Sequence, residues 1–288
     1  MALSRRDFLK VGAAAASVGV VSSLAACLHE PHETVVNTIP IVLERLPAAF
    51  DGFRIAQLSD IHFDQFMTPE YLESVVKLVN AQKPDVVMLT GDYVGRDGGQ
   101  SRQSLDAAEQ CAAILSRLQS PLGSFAVLGN HDCWAGADAV CEIVNAAHIQ
   151  VMRNQAHTLE RHGARLHLAG VDDVTAGLAR ADKALRGVPQ EECCVAAVHE
   201  PDFADELRKF AVDFQISGHS HGGQIRLPGV GAVVLPALAR KYSKGAYRIG
   251  QLQLYTNSGL GVIGVPMRLL CPPEVSLFEL KTPGAAKG

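Results

Sequence analysis

Apolar positions fall into a rhythm that starts at residue 53. Residues 53–59 are a short apolar run with polar borders and read as a strand. In 69–81, Leu72, Val75, Val76 and Val79 recur at three- and four-residue spacing behind Pro69, which predicts a helix. DVVMLT at 85–90 is a buried strand, 104–118 a helix stopped by Pro121, and 124–128 a further strand. The pattern continues with a helix over 137–147, short strands at 151 and 166–171, and a helix near 180–186. A strand over 194–198, a helix over 202–209 and a strand over 214–217 follow. Residues 223–281 are β-rich with Gly and Pro turns and close in a strand over 275–280. Upstream, 28–50 is polar, carries Pro31, Pro40 and Pro47, and reads as a linker that becomes an edge strand near 34–44.

Alternating strands and helices predict an α/β layered architecture. The strand-rich last third predicts a second sheet rather than a plain doubly wound fold. No composition break interrupts 51–282, so this stretch is expected to be one domain with a short tail, 283–288. The 288 residues suffice for a sizeable core, and 48% apolar with 19% charged residues is an ordinary globular mixture. A net charge of −4 argues against a nucleic-acid partner, which would call for a basic surface. No apolar stretch is long enough for a spanning helix, and no solenoid repeat is present.

The N-terminus, 1–27, has the layout of an export segment: a charged start, then VGAAAASVGVVSSLAAC. Arg5-Arg6 with Phe8, Leu9 and Lys10 resembles a twin-arginine (Tat) signal, which implies the Tat machinery as partner and the periplasm or cell envelope as destination. Leu24-Ala25-Ala26-Cys27 resembles a lipobox, which would lipidate Cys27 and give the only membrane contact expected; cleavage nearby by an ordinary signal peptidase is the alternative. Removing residues 1–26 takes away Arg5, Arg6, Lys10 and Asp7, shifting the net charge from −4 to −6. Seven cysteines show no metal-ligand spacing; they read as small buried hydrophobes, with a disulfide after export left open.

Each strong strand ends in groups that can bind metal. Strand 53–59 runs into Asp60-Ile61-His62, strand 85–90 into Gly91-Asp92, and strand 124–128 into Gly129-Asn130-His131-Asp132. Strand 194–198 meets His199, and strand 214–217 meets Gly218-His219-Ser220-His221. Open α/β sheets bind ligands beyond the carboxyl ends of their strands, so five ends bring these groups to one rim. Imidazole and carboxylate suit Mn, Fe, Zn or Co, and there are too many donors for one tetrahedral ion. A pair of divalent ions sharing one carboxylate suits in-line displacement on a phosphoryl group by a metal-bound hydroxide.

These motifs, in this order, resemble the calcineurin-like metallophosphoesterases over about 53–280. HSHGGQIRLP and NSGLG followed by PMRLLCPPE resemble the bacterial YkuE/YaeI-type branch. The resemblance implies two facing mixed β-sheets flanked by helices, a four-layer fold. It implies that Asp60, His62 and His221 hold one ion, that Asn130, His199 and His219 hold the other, and that Asp92 bridges. His131 would stay off the metals and assist the leaving group. Asp132 would orient His131 or cap its turn.

Other residues read more simply. His29, His32, His148, His157, His162 and His167 match no motif. Asp172-Asp173 reads as a solvated turn, Arg268 as an ion-pair partner, and Tyr93 and Trp134 as packing or substrate-flanking rings. The function expected is an exported phosphoesterase, preferring diesters by branch resemblance, acting on small-molecule, lipid-linked or polymeric phosphates. Monoester or pyrophosphate hydrolysis is the alternative. A non-catalytic binding module and a single structural zinc at His219 and His221 are further readings. Specificity is expected in rim loops 93–103, 132–137 and 172–180.

Overall fold

The computed structural model describes residues 33–64, 66–95 and 99–284. The export segment with Cys27, and His29 and His32, lie outside the described residues, as do 285–288 of the tail.

The first sheet is laid down mainly by three β-α-β steps. Strand β2 (Arg54–Leu58) leads through α1 (Pro69–Ala81) to β3 (Val86–Leu89). Helix α2 (Arg102–Leu115) then leads to β4 (Ser124–Ala126), and α3 (Asn130–Ala146) to β5 (Ile149–Val151). These four strands pair in parallel and in sequence order. Short parallel connections through helices put all three helices on one face, as right-handed crossovers require. Helix α1 has the predicted bounds: the Thr68 hydroxyl accepts from the Tyr71 amide, Pro69 opens the first turn, and Leu72, Val75, Val76 and Val79 are buried.

Strands β6 (Gln155–Arg161) and β7 (Ala164–Gly170) form a hairpin that begins the second sheet. Short helix α4 (Ala181–Ala184), β8 (Cys194–Ala197), a 3-10 turn with short helix α5 (Ala204–Leu207), and β9 (Phe214–Ser217) follow. Strands β10 (Arg226–Leu227) and β11 (Gly231–Ala232) form a separate two-stranded hairpin, after which β12 (Gly245–Ile249) and β13 (Leu252–Thr256) complete the second sheet. Its order is β12-β13-β9-β8-β7-β6.

The last strand, β14 (Glu274–Lys281), returns to the first sheet. There it lies between β1 (Val35–Val42), to which it is parallel, and β2, to which it is antiparallel. Both sheets are therefore mixed. The predicted second sheet exists, but the β-rich segment 223–281 supplies only its β12 and β13, while β14 belongs to the first.

The sheets face each other across Ile55, Val86, Met88, Phe125 and Val127 on one side and Leu168, Val195, Ala197, Phe214 and Ile216 on the other. Helices α1–α3 cover the outer face of the first sheet through Leu72, Val79, Cys111, Leu115 and Val144. Helices α4 and α5 cover the second through Ala181, Ala184, Ala204 and Leu207. This is the expected order of helices, sheet, sheet, helices. Successive strand residues point to opposite faces, and Cys193 and Cys194 accordingly enter different cores. Among the described residues all six cysteines are free thiols. No helix among them is long and apolar enough to cross a membrane.

Candidate metal centre

Five strands deliver polar groups to one end of the sandwich. Beyond β2 and β3 the chain bends through left-handed residues, with Asp60 at φ 51°, His62 at 47° and Asp92 at 57°. Backbone bonds carry the pairing of β2 with β3 through these bends: Asp60 N to Gly91 O at 3.0 Å, and His62 N to Asp92 O at 3.0 Å. After β9, His219 at φ 65° and His221 at φ 49° are left-handed as well. The two histidines are therefore not spaced as alternate residues of a strand. Ser220 is in the right-handed helical region, His221 opens a 3-10 turn, and the loop winds both rings toward the cluster. Left-handed non-glycine residues are uncommon and concentrate where function demands a fixed geometry.

Helix α3 starts at Asn130, seven residues ahead of the predicted 137, so the Asn130-His131-Asp132 motif forms its first turn. Gly136 breaks the helix at φ 122°, which is why the apolar spacing becomes regular only after it. Asp132 caps the turn. Its carboxylate accepts from the amides of Asp92 (2.8 Å), Tyr93 (2.8 Å) and Gly129 (2.9 Å), tying the end of β3 to the end of β4.

The seven ligand candidates and His131 meet in one buried space. Ligand atoms of Asp60, His62 and His221 lie within 4.8 Å of one another, as do those of Asp92, His199 and His219, and those of His62, Asp92 and His131. His62 Nε2 is 3.0 Å from His221 Nε2 and 3.5 Å from an Asp92 oxygen. His199 Nε2 is 3.2 Å from the same Asp92 carboxylate and 3.2 Å from His219 Nδ1. Asp92 thus stands between the two groups predicted for the two ions. The His131 ring packs edge-on to His62 at 4.6 Å, and its backbone amide donates to Asp92.

Backbone carbonyls select the tautomers. Nδ1–H of His62 donates to Val94 O, Nδ1–H of His199 to Thr90 O, and Nε2–H of His219 to Ala237 O. The other nitrogen of each neutral ring is then a lone pair aimed into the cluster, facing carboxylate oxygens. The lone pairs of His199 Nε2 and His219 Nδ1, 3.2 Å apart, and those facing the Asp92 oxygen from His62 and His199 repel unless a proton or a cation lies among them. The buried Asn130 Oδ1 has no hydrogen-bond partner. This donor set fits divalent cations.

Titration behaviour follows the same crowding. Burial pushes the Asp60 carboxyl up to about 6 and the His62 imidazole down to about 3. Burial, then His62, holds His221 well below its ordinary value. Burial opposes charge on His199, but neighbouring Asp92 raises it well above the usual range. A proton on His199 and a metal ion are alternative answers to the Asp92 charge.

The supporting residues were partly invisible in the sequence. Arg268, expected in an ion pair, is fully buried and donates to four backbone carbonyls: Ser258, Gly259, Gly261 and Cys271. That grip holds a loop whose amides, Leu260 and Gly261, bond the carbonyls of Ser59 and Asp60. Asp172 and Asp173 are buried, not a solvated turn. Asp172 takes the Arg153 guanidinium at 2.8 Å. Burial and the adjacent Glu200 push Asp173 up to about 8. Glu200, next to His199, accepts from the amides of Val174 and Thr175 and was not singled out in advance.

Tyr93 is a packing residue, its hydroxyl bonded to Val127 O, whereas Trp134 is half exposed at the cleft. Of the unassigned histidines, His148 and His162 are exposed, His157 is half-buried, and His167 is buried in β7 against Glu192.

A cleft of about 620 Å³ opens over the cluster. Trp134 and Thr175 bring two of the expected rim loops to it, but most of its wall comes from 219–237 and 263–265. Of the third expected loop, 93–103, Val94, Gly95 and Gln103 instead line a separate hollow with Phe63 and Asp64.

Two mixed sheets between helices, with a buried Asp/His/Asn cluster at their shared carboxyl end, define a metal-dependent phosphoric ester hydrolase. The model of the calcineurin-like phosphoesterases matches residues 53–223, and the chain belongs to that family. It is similar to the metallophosphoesterase YkuE of Bacillus subtilis, 35% identical over 289 residues that span 97% of this chain and 98% of the relative. It is also similar to phosphodiesterase YaeI of Escherichia coli, at 30% identity over 96% and 99% of the two chains. A metallophosphoesterase of Aquifex aeolicus is 31% identical over 86% and 92%.

Proposed function

We propose a phosphodiesterase that works with two divalent ions on the outer side of the cytoplasmic membrane. The observation that carries the two-ion reading is the convergence of imidazole nitrogens on either side of Asp92. Asp60, His62 and His221 would hold one ion, Asn130, His199 and His219 the other, and Asp92 both. Mn, Fe, Zn and Co all suit these donors. Bound there, the ions would supply Lewis-acid polarisation of a phosphoryl oxygen and lower the pKa of water.

The chain's own residues do the rest. Asp132 and the backbone carbonyls of Val94, Thr90 and Ala237 hold the donors in place. His131, in the base of the cleft beside Asp92, is placed to give a proton to the departing alkoxide. The preference for diesters is supported by the name of the Escherichia coli relative and by room in the cleft for a second substituent. Export rests on Arg5-Arg6 and the small-residue run after Lys10; a reporter fused behind residues 1–32 should leave the cytoplasm and stay inside when both arginines are lysine.

The reading is tested with Mn-loaded protein on bis-p-nitrophenyl phosphate. The Asp92→Ala variant should lose on the order of 10³-fold in kcat/KM, the range for removing a centrally placed charge-stabilising group. Wild-type turnover no faster than that variant overturns the enzyme reading. His131→Ala should lose about 10²–10⁴-fold in kcat while metal content stays at the wild-type level. Loss of an ion instead would make His131 a ligand.

A further inference from the structure

The cleft changes character above its floor. Asn130, His131, His219 and His221 form the base; Ile225, Val233, Val234, Ile263 and Val265 form the wall, with Trp134 standing 4.9 Å from the His131 ring. Val234 is 74% exposed, Val233 54%, Val265 48%, and Val230, in the turn between β10 and β11, 73%. A contiguous exposed aliphatic surface beside a reactive centre marks a binding surface.

The wall offers little to a polar substituent. Gln224 is the one amide side chain on it, and both its ends are engaged internally: Nε2 donates to Ile263 O and Val265 O, and Oε1 accepts from Ile263 N. A nucleobase or sugar would find few free partners there. An alkyl chain needs none.

The charge of this part of the chain is also distinct. Residues 214–273 contain no Asp or Glu but carry Arg226, Arg240, Lys241, Lys244, Arg248 and Arg268, in a protein of net charge −4. Arg268 is buried, Lys241 pairs with Asp205, and Arg248 lines a separate hollow with Glu44 and Asp213; Arg226, whose guanidinium donates to Gly222 O, is the cation held beside the wall. An aliphatic surface beside a cation, built from a segment that carries no acid of its own, complements an amphiphile with an anionic head.

We propose that the 224–265 wall seats the hydrocarbon chain of an amphiphilic phosphodiester whose phosphate lies on the Asp92 floor. The proposal rests on the phosphodiesterase reading and narrows its substrate to lipid phosphodiesters. Burial of each methylene in such a wall is worth about a threefold to fourfold gain in kcat/KM.

Two monomeric substrates with the same leaving group test it: methyl p-nitrophenyl phosphate and octyl p-nitrophenyl phosphate, assayed with the full-length Mn-loaded enzyme below micelle-forming concentrations. Wild type should favour the octyl ester at least tenfold in kcat/KM. The double substitution Val233→Asp with Val234→Asp, and separately Val265→Asp, should bring the octyl/methyl ratio down toward one. The ratio is taken within each active enzyme, so partial misfolding does not move it. A wild-type ratio below about two, with the methyl ester hydrolysed, overturns the lipid assignment and leaves the phosphodiesterase reading standing. A high ratio that survives both variants places the chain elsewhere and overturns the proposal. Turnover of neither ester sinks both readings.

Discussion

The floor of the cleft, from Asp60 to His221, and its rim, from Gln224 to Val265, adjoin along the chain and differ in how they are held. On the floor, five ligand candidates sit at positive φ, each costing about 1–3 kcal/mol. That strain persists because hydrogen bonds from both sheets over-determine the turns. Asp132 binds three amides, Asp60 receives the His219 amide at 2.9 Å, and the His199 ring joins the second sheet to Thr90 of the first. The rim is tied more lightly, by Gln224 to the backbone of Ile263 and Val265 and by the Arg226 and Leu269 amides, with no carboxylate or imidazole bridging the two sheets. Its hairpin pairs two residues with two, and its valines face solvent. Lone pairs that must stay together without relaxing apart need a rigid support, whereas a surface that meets a hydrocarbon needs only shape and apolarity.

The sharpest break in the floor should come at Gly218. A Cβ at this position would lie 1.8 Å from Ser59 Oγ and 2.3 Å from Asp60 Oδ2. Both atoms are buried, and the Asp60 carboxylate is fixed by the His219 amide, so neither can give way cheaply. Gly218→Ala should therefore displace Asp60 and lower kcat on the order of 10³-fold, with loss of an ion by elemental analysis. Full activity in this variant would show that the floor tolerates movement and would blunt the contrast.

Arg268 tests the frame without touching a ligand candidate. Arg268→Leu leaves four buried carbonyls without their donor and should cost about 3–5 kcal/mol of stability in urea unfolding. Activity below the melting transition should fall as well, because the loop gripped by Arg268 bonds the Asp60 carbonyl through Gly261. A stability loss under about 1 kcal/mol would mean that the loop holds itself.

What the sequence made legible follows the same division. Every ligand candidate stands within a few residues of a strand end, so local spacing nominated all seven together with His131 and Asp132, while their division into ligands and leaving-group acid came from the family resemblance. Helix α1 was readable to its bounds because its cap, proline and apolar stripe are all local. The supports were not. Arg268 reaches backbone carbonyls, which carry no residue identity, so nothing in the sequence marks its partners. Asp173 and Glu200 meet across 27 positions. Strand β6 was missed because only Leu159 of its seven residues is buried, which leaves no alternation to see. The last strand was seen as a strand, yet its place between β1 and β2 depends on a return across the whole chain. The rim escaped as well: Val230, Val233 and Val234 look like an ordinary β-rich segment until the fold exposes them beside the cluster.

The rim supplies the smallest effect and the cleanest control. Val230 is 73% exposed in the turn of the β10–β11 hairpin, outside all three core clusters. Replacing it with serine removes little buried area, leaves no cavity and strands no polar group. Val230→Ser should then change stability by no more than about 0.5 kcal/mol. In a domain of this size that is a melting shift of no more than about 2 °C. A larger loss would mean that the hairpin unfolds together with the sheets and that the rim shares the rigidity of the floor. A null shift, set beside the Arg268→Leu loss in the same buffer, would show that the hairpin tip adds little to the stability of the sheets, as its place beyond the glycines Gly222 and Gly223, which turn the chain from the ligand cluster toward solvent, leads one to expect.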